Sequence, residues 1–196
     1  MDLNQYVEDA TKTESKIPQV VVNPEMLLAV LMVTISANQM LDQIKKHAFY
    51  GRPYDLGAFN TAYTRATTAL SNLQFVPLGA DELPFVEQPL NINSRVFHSL
   101  VGISTESGEL LEQLYSALHG KHIDTINTLE EFGDVNWYVA IGLDVLNGDF
   151  EQVLTTNIDK LRARFPNAFD STDANERDLD KERKILEDGM GDEPVS

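Results

Sequence analysis

The sequence predicts an all-α protein with a four-helix-bundle-like core of helical hairpins. Three observations point there. Apolar residues recur at three- and four-residue intervals along most of the chain, the period of an amphipathic helix. Strand alternation is nearly absent; only residues 19–22 alternate, and weakly. Side chains that cap helices precede the apolar runs, and Gly or Pro follows them.

Val22 to Lys46 reads as one helix, with Pro24 in the first turn, where its missing N–H has no partner to lose. Gly51 and Pro53 break it, and a second helix runs from about Asp55 to Leu73. Pro77, Gly79, Pro84 and Pro89 mark residues 76–93 as a linker. A third helix starts at Asn93 or Ser94 and stops at Gly120; Asp124 caps a fourth that ends near Gly148. Asp149 with Gln152 resembles a capping box for a fifth helix, which stops at Phe165 and Pro166. Asp173 with Glu176 repeats that signal for a short sixth. The domain reading is a hairpin region over 1–75, the linker 76–93, a second helical region over 94–188 and a disordered tail over 189–196.

At 196 residues and 42% hydrophobic, the chain can bury a real core. Its formal charge of −16 repels nucleic-acid backbones and anionic membranes, so neither polymer nor bilayer is an expected partner. A small polyphosphate remains compatible, because a divalent metal inverts the local charge. With no cysteine, disulfides and thiolate metal sites are excluded. The apolar run from Met26 to Ile35 is too short to span a bilayer, and the N-terminus lacks the regions of a secretion signal; a cytoplasmic location is expected.

Two acidic pairs carry the chemistry: Glu106 with Glu109, and Glu131 with Asp134. Each has the acid-x-x-acid spacing that places both groups on one helix face. Each also continues an apolar stripe, through Ile103, Leu110 and Leu114 in one helix and Tyr138, Ile141 and Val145 in the other. An ionised carboxylate on a core-facing stripe is costly unless paired or metal-bound. A helix end projecting into solvent explains one such pair; two pairs on consecutive helices favour an oxygen-only site for a hard cation such as Mg²⁺. Glu112 and Glu130 read as solvated, Trp137 as core, and His119 with His122 as exposed.

The halves also resemble each other. Residues 31–44 align with 100–114, and GRPYD (51–55) falls on GKHID (120–124). This alignment predicts a duplicated hairpin. Ser36 and Gln39 then stand where Glu106 and Glu109 are, and Ala62 and Arg65 where Glu131 and Asp134 are.

The second half resembles the MazG-like all-α nucleoside triphosphate pyrophosphohydrolases, including phage members. The resemblance rests on Glu106 and Glu109 in TESGELLEQL, Glu131 and Asp134 in EEFGDVNWY, and NIDKLRARFPNAF with Asn157, Lys160, Leu161, Arg164, Phe165 and Pro166. It covers roughly residues 91–187; the first half looks like a decayed copy. It implies hydrolysis of a (deoxy)nucleoside triphosphate to the monophosphate and pyrophosphate. Glu106, Glu109, Glu131 and Asp134 would hold Mg²⁺, or Mn²⁺ in its place. Glu109 and Glu106 would be catalytic, with Glu109 orienting or deprotonating water. Asn157, Lys160 and Arg164 would meet the substrate. Lys160 and Arg164 also suit a helix C-terminus for the dipole alone. A homodimer or higher homo-oligomer, in a bacterium or a phage-infected cell, is implied too. The rival is a non-catalytic nucleotide-binding or helical interaction module. A di-iron carboxylate bundle needs Glu-x-x-His pairs, and the chain has none.

Overall fold

The structure is a computed structural model that describes residues 2–73 and 86–190. Among these residues the fold is all-α, with eight helices and one two-residue strand pair. The chain divides into two compact units. The first takes Met1–Val20, Asn91–Ala163 and Leu179–Ser196; the second takes Val21–Leu90 and Arg164–Asp178.

The centre of the first unit is the hairpin α4 (Ser94–Leu118) and α5 (Thr125–Val145). Asn93 Oδ1 caps α4 by accepting the N–H of Arg95 at 2.9 Å. Asp124 Oδ1 caps α5 by accepting from Ile126 and Asn127, at 3.0 and 3.1 Å. Between them Gly120 turns the chain at φ 81°, a left-handed conformation glycine adopts without strain. The helices approach closely at Gly102, where an added Cβ would lie 2.1 Å from the Tyr138 ring. Ser99 Oγ donates to Tyr138 O at 2.8 Å across the same contact, above the fully buried Ala140 and Ile141.

An N-terminal helix, α1 (Leu3–Thr13), packs on α5. Tyr6, Val7 and Ala10 cover Ala140, Phe150, Trp137 and Leu143. Trp137 Nε1 donates to Thr13 Oγ1 at 2.9 Å, and Ser94 Oγ to Ile17 O at 2.8 Å. Arg95 bridges Glu14 and Asp144, at 2.9 and 2.6 Å. The domain reading placed these first residues with the leading hairpin; their apolar face and this ion network put them in the unit of the second. The unit ends with α6 (Phe150–Arg164), whose Arg164 is already counted in the other unit, and α8 (Leu179–Met190). Asp149 Oδ1 caps α6 through Gln152 N at 2.7 Å, and Gln152 Nε2 donates to Gly189 O in α8 at 2.7 Å. Gly189 and Met190 are therefore helical, while the rest of the expected tail lies outside the described residues.

The second unit is built on α2 (Pro24–Tyr50) and α3 (Leu56–Asn72). Asn23 Oδ1 caps α2 through Met26 N at 2.7 Å, with Pro24 in the first turn; Asp55 Oδ1 caps α3 through Ala58 N at 2.9 Å. Ala29, Ser36, Ala62, Ala66 and Ala69 are buried, so small residues line the contact. The two hairpins close by one device. Gln43 Oε1 accepts the N–H of Asp55 at 3.4 Å, and Gln113 Oε1 accepts that of Asp124 at 3.3 Å. These pairs match the register of the duplication alignment.

β1 (Val21–Val22) pairs antiparallel with β2 (Gln88–Pro89), so the weak alternation at 19–22 ends in a true ladder. Most of the expected linker, 76–85, lies outside the described residues. α7 (Ser171–Asn175) packs against α2, and Phe169 lies 5.6 Å from the Tyr50 ring and 5.4 Å from Phe165. Its cap is Asp170, not Asp173: Asp170 Oδ1 accepts from Thr172 and Asp173, at 2.7 and 3.2 Å. Asp173 falls inside the helix and Glu176 is its C-cap, because Asp170 satisfies the first N–H groups three residues earlier.

The apolar run Met26–Ile35 belongs to this 27-residue α2, which by length and composition is apolar enough to cross a membrane. The reading of the run as too short counted only its uninterrupted apolar part.

Candidate metal centre

α4 presents Glu106 and Glu109 one turn apart, and α5 presents Glu131 toward them. The close approach at Gly102, one turn before Glu106, lets the two helices bring these groups together. Carboxylate oxygens of Glu106, Glu109 and Glu131 all lie within 4.8 Å of one another. Glu131 is buried, at 5% exposure; Glu106 is half-buried and Glu109 exposed. The trio thus runs from core to solvent, with Glu109 at its open side.

Three carboxylates so close repel one another. Burial first, then the charge of Glu109 and a hydrogen bond with Glu106, raise the Glu131 carboxyl above the ordinary range. Asn127 Nδ2, one turn earlier on α5, donates to Glu131 Oε1 at 3.1 Å. Thr105 Oγ1 donates to Glu106 Oε1 at 3.4 Å. Among the described residues no Lys or Arg pairs with any of the three. The donor set fits a hard divalent cation: oxygen ligands only, converging, and with their charge otherwise uncompensated.

Asp134 stands outside this group. It is exposed, one turn along α5 from Glu131, on the side where α1 packs. Burial, then the Asp134 charge, raise the Tyr6 phenol, which also donates to Gly133 O at 3.4 Å. Burial, then Glu106 and Asp134, raise the phenol of Tyr138 in the same way. Two tyrosines therefore flank the fourth acid. Sequence reading placed Tyr138 only on an apolar stripe and did not single out Tyr6. The signal for Tyr6 was present: Asp2 caps α1 through Gln5 N at 2.7 Å, and Tyr6, Val7 and Ala10 share a face.

The expected substrate residues lie on α6. Lys160 Nζ donates to Asn157 Oδ1 at 2.7 Å, so the two share a face and occupy each other. Neither pairs with the four acids among the described residues. Arg164 lies over the Phe165 ring, 5.6 Å from its centre, at the start of the second unit's C-terminal segment. Trp137 is core, stacked edge-on against His98 and Tyr138, while His119 is exposed with Nδ1 bonded to Tyr115 O at 2.8 Å.

Compared with known proteins, the chain matches no family model, no curated protein and no solved structure.

Proposed function

We propose that the protein is a Mg²⁺-dependent nucleoside triphosphate pyrophosphohydrolase of the MazG-like kind. The observation that carries this reading is the convergence of Glu106, Glu109 and Glu131 from two helices into one oxygen-only set. Mg²⁺ held there would polarise the α-phosphoryl group and lower the pKa of a bound water. Glu106 and Glu131 are the holding ligands, Glu131 fixed by Asn127. Glu109, at the open side, orients water and accepts its proton. Asp134 completes the acid set from the flank, between Tyr6 and Tyr138. Lys160 turns from Asn157 Oδ1 to phosphate oxygens when substrate arrives, which frees Asn157 for the sugar or base. Arg164 joins the substrate side on the family pattern alone.

The chain acts as a homo-oligomer in this proposal. Leu111, Leu114, Tyr115 and Leu118 form a helical stripe on α4 that is 42% to 76% exposed, and Ile126 and Leu129 on α5 are 81% and 64% exposed. Apolar surface arranged this way is expected to be covered by protein. A second copy fits α2 better than a bilayer does, because α2 also carries Asn38, Gln39, Asp42, Gln43, Lys45 and Lys46.

The test is pyrophosphate release across a panel of nucleoside and deoxynucleoside triphosphates, with and without Mg²⁺. Glu106→Gln and Asp134→Asn should each cost about a hundredfold or more, the scale of other transition-state electrostatic losses. No metal-dependent release from any member, or near-full activity in Glu106→Gln, would overturn the assignment. Light scattering that gives a concentration-independent monomer mass would overturn the oligomer.

A further inference from the structure

We infer that the α2–α3 hairpin carries a second, metal-independent site: a cleft that binds the phosphoryl group of a small molecule through Arg65. The cleft measures about 670 Å³, within the range of small-ligand pockets. Asn38, Gln39 and Gln43 reach it from α2, Thr61 and Arg65 from α3. Its acid, Asp42, has Lys45 Nζ at 2.8 Å and Lys46 Nζ on its other oxygen. Arg65, in contrast, is exposed and forms no ion pair or hydrogen bond among the described residues. Among the described residues its guanidinium takes no acid as a partner, on a chain of net charge −16. Its planar fork matches a phosphoryl group in two-point contact. The side-chain amides of Asn38, Gln39 and Gln43 around it donate to further oxygens or read the edge of a base, while the Thr61 hydroxyl, which donates to Gly57 O at 2.8 Å, can only accept.

The alignment of the two hairpins contrasts their chemistry. Gln39 and Arg65 occupy the positions that Glu109 and Asp134 hold in the second hairpin, and both line the cleft. The closures at Gln43–Asp55 and Gln113–Asp124 join residues that this alignment pairs. Carboxylates meet an anionic ligand only through a cation. Amides and a guanidinium meet it directly. The cleft of the first hairpin carries the second arrangement. This inference concerns the α2–α3 cleft alone and does not depend on the activity proposed for the acid centre.

The full-length protein is titrated in EDTA with inorganic phosphate, a nucleoside monophosphate and the unphosphorylated nucleoside, followed by amide NMR. Both phosphorylated probes should shift α2–α3 amides saturably, and the nucleoside should not. Arg65→Ala should weaken binding roughly tenfold or more, and Arg65→Lys, which keeps charge but loses the fork, by less. Glu106→Gln should leave it unchanged. Tighter binding of the monophosphate than of phosphate identifies a nucleotide as the occupant; equal binding identifies free phosphate. The inference is overturned by absence of saturable shifts in α2–α3, by unchanged affinity in Arg65→Ala, or by binding that vanishes in Glu106→Gln. Arg65 is exposed, so its variants are expected to fold, which a melting curve checks.

Discussion

Arg95 Nε lies 2.9 Å from both carboxylate oxygens of Glu14, whose side chain is wholly inaccessible to solvent. The pair joins the end of α1 to the start of α4, and Asp144 extends it to α5. Removing the guanidinium leaves a buried charge without its partner. Arg95→Ala is expected to cost about 3–5 kcal/mol by denaturant unfolding. Arg95→Met combined with Glu14→Leu should recover most of that loss, because two apolar groups leave nothing unpaired. Equal destabilisation in the single and double variants would show that the network matters through packing rather than charge.

Glu131 has the opposite energetics. It is buried beside two other carboxylates and held above its usual protonation range. Glu131→Gln removes the repulsion and keeps the shape. The metal-free variant should melt at a higher temperature than the parent. Its Mg²⁺ affinity should fall by at least the ~10–100-fold that loss of a supporting group costs a metal site. Calorimetry with and without Mg²⁺ reads both, and a variant that melts lower in EDTA would mean that Glu131 is structurally satisfied without a cation.

Gly102→Ala should disturb the same centre without touching an acid. The new methyl would sit 2.1 Å from the Tyr138 ring, so ring or helix must move. Overpacking of this kind costs about 1–3 kcal/mol. The displaced helix carries Glu106 one turn on, so Mg²⁺ affinity should drop as well. Loss of stability with unchanged affinity would separate the contact from the site.

Asp170 gives a pH prediction. Hydrogen bonds from the Asp173 and Thr172 N–H groups hold its carboxyl below the ordinary value of 3.8. The folded form therefore prefers the ionised cap more than the unfolded form does. Its stabilising contribution is present above pH 3.8 and is lost as pH falls through the lower folded value. A carboxyl NMR titration should give a midpoint below 3.8, and Asp170→Ala should remove order in α7 at neutral pH. A midpoint at or above the ordinary value would mean that the cap is open in solution.

The fold was legible where a local rule decided it. Asn93, Asp124 and Asp149 announced three of the helices, and all three accept the N–H groups that capping requires. The acid-x-x-acid spacing put Glu106 and Glu109 on one face because helix periodicity fixes a face, while their meeting with Glu131 rests on the α4–α5 approach at Gly102. The same spacing put Asp134 on the face of Glu131 but left open which neighbour it meets. That depends on how α1 packs, a long-range contact through Tyr6 that no local pattern encodes. The partnership of residues 3–13 with α5 was hidden for the same reason, as was the ladder of Val21 and Val22 with Pro89 and Gln88. Lys160 was correctly placed beside Asn157 on one face, yet sequence could not show that the two engage each other.

The first unit is assembled from three stretches of chain that are far apart in sequence. On the ribosome, α1 emerges long before α5, the surface it covers. At about 5–20 residues per second, its apolar face waits several seconds for that partner. α8, which binds Gln152 through Gly189, is made later still, after α6. The carboxylate-bearing unit thus finishes folding only once α8 has been made, and loss of either α1 or α8 strikes that same unit. A fragment starting at residue 88 would keep every proposed metal ligand and still lack the helix that shields Ala140 and Phe150.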